Sequence, residues 1–358
     1  MTGILKFMNE IRARGYRYRR TYDPKKYVSS WLEDDKYKRD GPTMKALVVI
    51  LRTIGCNWSR EHSSTRGGGC SMCGYINDCL EPENSMNQND ILFQFKSALE
   101  KFENQDFHFL KIFTSGSFLD DSEIPPEVRS KILDLCTDVG VAHLLFETRP
   151  EFVTLSALTQ LEHDYKGRIQ IAIGLESAND NILKNSINKG FSFEDYRKAI
   201  NSIRDFDFSV KTYLLLKPPF LREREAIFDV LTSIKVLQDQ HLTDCISINP
   251  INIQKFTLLE NLFTRRDYRP PWLWSVVDVL QRGVEMLSDN KIRLLSSPTA
   301  GGTNRGAHNC GKCDKLVLDA ISEFSLYNDP SIFDDLGCSC KEQWEDILEL
   351  ENLIRSQL

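Results

Sequence analysis

From residue 45 onward, short and nearly unbroken apolar runs alternate with longer stretches in which apolar residues recur every three or four positions. The runs are KALVVILRT (45–53), FHFLKIFTSG (107–116), VAHLLFETRP (141–150), RIQIAIGLES (168–177), SVKTYLLLKPPF (209–220) and CISINPINIQ (245–254). Their length and near absence of polar alternation predict strands buried on both faces. Between them, Ile91, Leu92, Phe95, Ala98, Leu99 and Phe102 mark one face of a helix over 90–103. Val128, Ile132 and Leu135 mark another, begun by Pro125 and Pro126. Ser192 and Asp195 predict a capping box that opens a helix over 192–206, and 226–237 carries a further helical stripe. Six β-then-α units predict an α/β fold, a parallel sheet covered by helices and either open or closed toward a barrel, with chemistry at the strand C-termini.

Beyond residue 260 the pattern changes. RRDYRPPWLWSVVDVLQRGVEML predicts a Trp-rich helix, followed by a short strand, a Gly-rich loop, a cysteine cluster and a helix from 341. The chain thus divides into a segment 1–44, a core 45–260 and an appendage 261–358. At 358 residues, 41% hydrophobic and 27% charged, it has the composition of a globular protein with a sizeable core, which excludes disorder as its main state. No run approaches the roughly 20 apolar residues of a membrane span, and the N-terminus turns basic where a secretion signal would be apolar. A cytoplasmic location without a membrane partner is expected.

The net charge of −6 conceals an uneven distribution: residues 1–40 carry eleven Lys or Arg against six acids, leaving −11 for the remainder. Within this arm, RARGYRYRRTYDPKKY interleaves cations with Tyr16, Tyr18, Tyr22 and Tyr27, a combination suited to gripping phosphates and stacking bases. A solvated helix or strap over an acidic surface is the other reading. Arg17, Arg19 and Arg20, together with Arg265, Arg266 and Arg269 beside Tyr268, are the candidate nucleic-acid contacts.

Ten cysteines in a reducing compartment point to metal or redox chemistry where they cluster. Cys56, Cys70 and Cys73 lie in a glycine-rich loop after the first strand, with Cys79 trailing. A structural zinc site takes four protein ligands, whereas an iron–sulfur cubane held by three thiolates keeps one iron open for a cosubstrate. Cys56, Cys70 and Cys73 are the first candidate set, and Cys70, Cys73 and Cys79 the alternative. Gly67, Gly68 and Gly69 allow close backbone approach, and Met72 and Tyr75 offer apolar and aromatic cover for a bound base. At the later strand ends stand Ser115 and Ser117, Glu147 and Arg149, Glu176 and Ser177, Lys217, and Asn249, Asn252 and Gln254.

A three-cysteine loop after the first strand, with an apolar residue before the last cysteine, resembles the radical S-adenosylmethionine (SAM) enzymes, whose fold is a partial (β/α)6 barrel. Their usual CxxxCxxC is stretched here to thirteen residues between Cys56 and Cys70, as in the branch containing the Elongator catalytic subunit. TSGSFLDDSEIPPEVR, FETRPEFV, GLES, YRPPWLW and the late His-Asn-Cys-Gly-Lys-Cys together are similar to the archaeosine synthase radical SAM subunits (RaSEA) over about residues 20–350. This resemblance implies a [4Fe–4S] cluster on Cys56, Cys70 and Cys73 that cleaves SAM to a 5′-deoxyadenosyl radical. It implies SAM contacts at Thr114, Ser115 and Gly116 for the amino group, and at Glu147, Arg149 and Glu176 at the later strands. Lys217 and Glu176 are the candidate catalytic residues. The implied reaction is a lyase step on tRNA: cleavage of the lysine C–N bond of a lysine-adducted 7-cyano-7-deazaguanine in the D-arm to give archaeosine. The implied partners are that tRNA, the lysine transferase ArcS and an electron donor.

Cys310, Cys313, Cys338 and Cys340 form a second set, with His308 as an alternative ligand, and their spacing suits a closed zinc site that pins the terminal helix. A second iron–sulfur cluster is the competing assignment. Two other functions fit the same features: a non-catalytic zinc-binding RNA adaptor, and a radical SAM tRNA-modifying transferase of the Elongator-like type. The lack of an acetyltransferase domain after the appendage weighs against the latter.

Overall fold

The computed structural model describes residues 2–18, 20–61, 67–81, 87–287 and 291–355. The chain opens with α1 (Thr2–Arg17), β1 (Ser29–Asp35) and β2 (Met44–Ile50). The loop after β2 contains the one-turn α2 (Asn57–Arg60) and leads to α3 (Gln88–Glu100). Then follow β3 (Phe109–Phe113), α4 (Pro126–Asp138), β4 (His143–Thr148), α5 (Leu155–Asp164), β5 (Arg168–Glu176), the short α6 (Asp180–Ile182) and α7 (Phe193–Arg204). β6 (Ser209–Leu216), α8 (Glu223–Asp239), β7 (Cys245–Pro250), α9 (Leu258–Thr264) and α10 (Leu273–Met286) continue the alternation. β8 (Arg293–Ser296), α11 (Asp314–Tyr327) and α12 (Cys340–Arg355) complete it.

The eight strands form one curled half-barrel sheet in sequence order, β2 to β8 parallel and β1 antiparallel to β2. Alternation along the strands separates its two faces. Leu47, Val49, Leu110, Ile112, Leu144, Phe146, Ile171 and Ile173 join the large core beneath the helices. Ala46, Phe109, Leu145 and Ala172 belong to a smaller cluster in the lumen with Tyr37. The same face presents Lys111, Glu147, Lys211 and Tyr213, each at an alternate position on its strand. The helices start where local chemistry predicts: Pro126 stands in the first turn of α4, and Ser192 with Asp195 forms a complete capping box on α7.

The N-terminal end of the half-barrel is plugged. Lys111 on β3 reaches Glu33 at 2.6 Å and also bonds Asp35, which pairs with Arg293 on β8 at 2.6 Å. Burial alone would raise the Asp35 carboxyl, but Lys111 and Arg293 hold it far below the usual carboxylate range. Tyr37, 6% exposed, donates its hydroxyl proton to the carbonyl of Ile169 at 3.0 Å. With this end closed, access is from the strand C-termini. β1 from the first 44 residues pairs with β2, and β8 from the last hundred pairs with β7, so the sheet runs on across both compositional boundaries. Among the described residues, no helix is long and apolar enough to cross a membrane.

Candidate functional site

Cys56 stands at the N-cap of α2 in the loop after β2, and its carbonyl accepts from the N–H groups of Ser59 and Arg60. Arg60 ties the turn down through its Nε–H to the Gly55 carbonyl at 3.0 Å and a 3.0 Å bond to Ser122. Gly67, Gly68 and Gly69 all have φ between 69° and 88°, a left-handed path that glycine follows without strain. The Asn188 side chain donates to the carbonyls of Gly67 and Gly69 at 3.0 and 2.8 Å, joining this loop to the chain beyond β5. Cys70 and Cys73 follow in a tight turn closed by the 3.1 Å bond from the Cys73 N–H to the Cys70 carbonyl.

Cys56, Cys70 and Cys73 are all partly exposed and none is in a disulfide. Burial pushes the Cys70 thiol up, while Lys189 and Arg149 pull it back. Burial, reinforced by Cys70, pushes Cys73 up to about 11, with Arg12 opposing. The donor set therefore suits a cationic metal group, since thiols flanked by Arg12, Arg149 and Lys189 ionise when a metal replaces their protons. Cys79 is buried behind Gly55, where a Cβ would lie 2.5 Å from its sulfur, and its thiol donates to the Tyr75 carbonyl at 3.3 Å. Met72 is half-buried, and Tyr75 stands 49% exposed at the mouth.

Thr114, Ser115 and Gly116 follow β3, with the Gly116 N–H donating to Thr114 Oγ1 at 3.1 Å. A Cβ at Gly116 would lie 2.9 Å from the Cys56 Cα, so this loop lies directly against the cysteine turn. Glu123 sits fully buried beneath it, accepting from the Ser117 N–H at 2.6 Å and from the Thr53 hydroxyl. Burial outweighs those bonds and pushes its carboxyl up to about 7.

Arg149 donates through both Nη atoms to the Lys189 carbonyl at 3.1 Å and through Nε to Glu151 at 2.5 Å, with its guanidinium near the rings of Trp58 and Phe191. Glu176, on a bulge with φ 74°, accepts from the buried Lys189 ammonium at 2.8 Å. Lys217 has φ 64° and donates to the buried carboxylate of Glu223 at 2.6 Å. Glu223 also accepts from the Trp272 N–H and the Ser275 hydroxyl, so Lys217 belongs to a saturated network. Glu147 is desolvated in the lumen and pushed up to about 7 despite its bond from Tyr213. Beside it on β6, Lys211 is 7% exposed with no carboxylate in ion-pair range among the described residues, and burial lowers its ammonium. Gln254 accepts from the Gly74 N–H at 2.5 Å and donates to Asn252 at 3.2 Å, and Asn249 accepts from Ser247 at 3.2 Å.

The structure also gives residues places that the sequence did not predict. Arg12, the first cation of the stretch expected to grip phosphates, is instead buried and donates to the carbonyls of Cys70 and Cys73 at 2.8 and 3.0 Å. Its one sequence signal is the helical spacing Met8, Ile11, Arg12, Gly15. Lys211 and Tyr213 were legible as polar alternates in SVKTYLLL. Glu123 and Lys189 carry no local signal.

In the C-terminal set, all four sulfurs of Cys310, Cys313, Cys338 and Cys340 lie within 4.8 Å of one another, and His308 stands outside the group. Cys310 and Cys338 are 3.7 Å apart, Cys313 and Cys340 3.6 Å. Trp274 Nε1–H donates to the Cys340 sulfur at 3.3 Å and Asn309 to that of Cys313 at 3.4 Å. His308 is turned away, with Nδ1 2.8 Å from the Gly306 carbonyl. Arg17, Arg20, Arg265 and Arg266 are exposed. Arg19 lies outside the described residues. Arg269 is partly committed, packing 4.0 Å over Trp272 and donating to the His308 carbonyl at 2.8 Å. Tyr18 stacks on Phe256 while remaining 74% exposed, and Tyr22 lies against Arg52.

No family model matches the chain. The archaeosine synthase subunit beta of Methanosarcina acetivorans is 39% identical over 327 residues, 91% of this chain and 90% of that protein. The chain belongs to the archaeosine synthase subunit beta family. The protein of the same name from Thermococcus kodakarensis is 39% identical over 326 residues, 90% of this chain and 97% of that one. Among solved structures, the archaeal Methanocaldococcus infernus Elp3 with an N-terminal deletion aligns with a TM-score of 0.50 at 15% identity, over 68% of this chain and 61% of that chain. That likeness shows the fold alone, a partial barrel of parallel strands covered by helices. In this member of the archaeosine synthase subunit beta family, the two cysteine groups sit on one half-barrel, one in the loop after β2 and one beside α10.

Proposed function

We propose that this member of the archaeosine synthase subunit beta family is the radical SAM lyase that cleaves the lysine C–N bond of a lysine-adducted 7-cyano-7-deazaguanine in the tRNA D-arm, giving archaeosine. The observation that carries this reading is the placement of Cys56, Cys70 and Cys73 in the first βα loop of a parallel half-barrel, with the Gly116 loop against Cys56 and Arg12 bonded to the carbonyls of Cys70 and Cys73. Cys56, Cys70 and Cys73 would hold a [4Fe–4S] cluster, with Cys79 a buried thiol behind them. When bound, the cluster supplies the electron that splits SAM and so generates the radical that takes a hydrogen from the lysine side chain.

The chain's own residues bind, orient and exclude water. Glu123 fixes the Thr114–Gly116 loop against Cys56, in the place where the SAM amino group is to be received. Arg149 and Lys189 set positive charge beside Cys56 and Cys70, the natural seat for the SAM carboxylate. Met72 and Tyr75 cover the adenine, and Glu176, held by Lys189, faces the ribose side. Because Lys217 is committed to Glu223, its role is to hold the rim. The amino acid head of the substrate is read in the lumen, its ammonium by Glu147 with Tyr213 and its carboxylate by Lys211, with Asn249, Asn252 and Gln254 at the mouth.

Residues 1–44 and 261–358 serve as contact segments around the 45–260 core, with Arg17, Arg19, Arg20, Arg265, Arg266 and Arg269 on the tRNA. The lysine transferase ArcS is the partner that supplies the adduct, and a reductant partner supplies the electron. The four C-terminal sulfurs suit one zinc ion: bonds of about 2.3 Å in a tetrahedron give sulfur–sulfur edges of about 3.8 Å, and a cubane spreads its thiolates more widely. Incubation of the anoxically reconstituted protein with SAM, reductant and lysine-adducted tRNA, followed by mass spectrometry of the nucleosides, tests the proposal. Archaeosine is the expected product. SAM cleavage with no archaeosine would retain the radical chemistry and reject the substrate.

A further inference from the structure

The N-terminal helix is more than a basic arm. One face of α1 carries Met8, Ile11, Arg12 and Gly15, all buried, while Arg14 and Arg17 face solvent. The buried face lies against the cysteine loop more closely than ordinary side chains permit. A Cβ at Gly68 would lie 2.5 Å from Asn9 Oδ1, and one at Gly69 would lie 2.8 Å from Arg12 Nη2. From the other side, a Cβ at Gly15 would lie 2.7 Å from Asn77 Oδ1 and 2.9 Å from Phe256. Glycines on both partners thus make the approach possible, and they make it specific.

Arg12 is 3% exposed, and one Nη donates to the carbonyls of Cys70 and Cys73. The other, Nη1, is buried with no hydrogen-bond partner, and among the described residues no carboxylate lies in ion-pair range. An isolated buried guanidinium is costly, and it persists where something negative completes it. The turn it grips through those two carbonyls carries the thiols of Cys70 and Cys73.

We infer that Arg12 is the counter-cation of the cluster loop, a positioning residue that fixes the Cys70–Cys73 turn and sets positive charge beside its sulfurs. This rests on the reading of Cys56, Cys70 and Cys73 as cluster ligands. Reduction adds negative charge to the group they hold, so a fixed cation beside it favours the reduced form and raises its midpoint potential. The helix also packs over the loop at Gly68 and Gly69 and so narrows the approach of water and oxygen to it. One helix therefore contributes to the metal centre on its inner face and leaves its outer face free for phosphate.

The test compares full-length wild type, Arg12→Gln, Arg12→Lys and Gly15→Val after anoxic reconstitution. Circular dichroism checks folding, and the readouts are iron per chain, the midpoint potential by EPR-monitored titration, and the rate of cluster loss in air. Arg12→Gln is expected to shift the midpoint to more negative potential and Arg12→Lys to restore most of it. Gly15→Val, which keeps the charge but has no room for its side chain, is expected to speed loss in air several-fold, and it carries the comparison if the Gln variant does not fold. An iron-loaded Arg12→Gln protein with the wild-type potential, or a Gly15→Val protein with the wild-type rate of loss, overturns the inference. Wild type that takes up no iron overturns the ligand reading beneath it, a separate and recognisable failure.

Discussion

Glu123 and Lys217 show how differently a buried charge behaves with and without a partner. The Glu123 carboxyl titrates near 7 in the fold, against about 4.5 for an ordinary glutamate. Between those values the folded protein keeps a proton that the unfolded chain has lost, so the contribution of this group to stability is fully present below pH 4.5 and is lost as pH rises through 7. The full loss is on the order of 3 kcal/mol. Glu147 and Asp229, also raised by burial, add slopes of the same sign. Glu123→Gln should flatten the fall between pH 5 and 8 without abolishing it, as read from thermal midpoints across that range; an unchanged slope would remove Glu123 from the account. Lys217, by contrast, neutralises Glu223 at 2.6 Å inside a network that reaches Trp272 and Ser275. Lys217→Ala should cost about 3–5 kcal/mol in denaturant unfolding, because it strands a buried carboxylate. Its rim position was legible in the sequence, but its partner was not, because strand-end position does not distinguish a lysine that faces substrate from one that faces Glu223.

At the scale of elements, the six central strands were legible because strands buried on both faces read as continuous apolar runs. β1 was not, for a physical reason. It is an edge strand, SSWLEDD, whose acids serve Lys111 and Arg293 inside the lumen, so its composition resembles a solvated arm. α1 was hidden in the same way, since its inner face is built from Arg12 and Gly15 as well as apolar residues. The cysteine loop could be read because its three thiols fall within eighteen residues and one loop. The C-terminal set was legible as two pairs, and α10 completes it through Trp274. Cys338→Ser, or chelation of the folded protein, should remove one metal ion per chain and lower the melting temperature as α12 loosens, while iron at the first site is unchanged. Loss of iron together with that metal would mean that the two centres are not independent.

For the whole molecule, the charge distribution matters more than its sum. Because the chain is acidic overall at net −6, the proposed tRNA binding would rest on the exposed cations Arg17, Arg20, Arg265 and Arg266. Exchanging Arg265 and Arg266 for glutamate should weaken tRNA binding and reduce the salt dependence of log Kd by roughly 1–2, as each phosphate contact contributes about 0.7–0.9; an unchanged slope would move the interface elsewhere. The plug of Lys111, Asp35 and Arg293 closes one end of the half-barrel and leaves the cysteine loop at the other, which gives the molecule a single working end. That polarity is the part of the fold least visible in sequence, since it depends on residues 33, 35, 111 and 293 meeting across the sheet. The central claim is that three sulfurs at the open end hold an iron cubane with one corner free. Mössbauer and EPR spectroscopy of the anoxically reconstituted protein, with and without SAM, tests it most directly, with Cys56, Cys70, Cys73 and Cys79 each replaced by alanine. About four irons per chain, a spectrum altered by SAM, loss of the cluster on removing Cys56, Cys70 or Cys73, and its survival without Cys79 are expected. A wild-type protein free of iron, or a cluster lost with Cys79 and kept without Cys56, would contradict it.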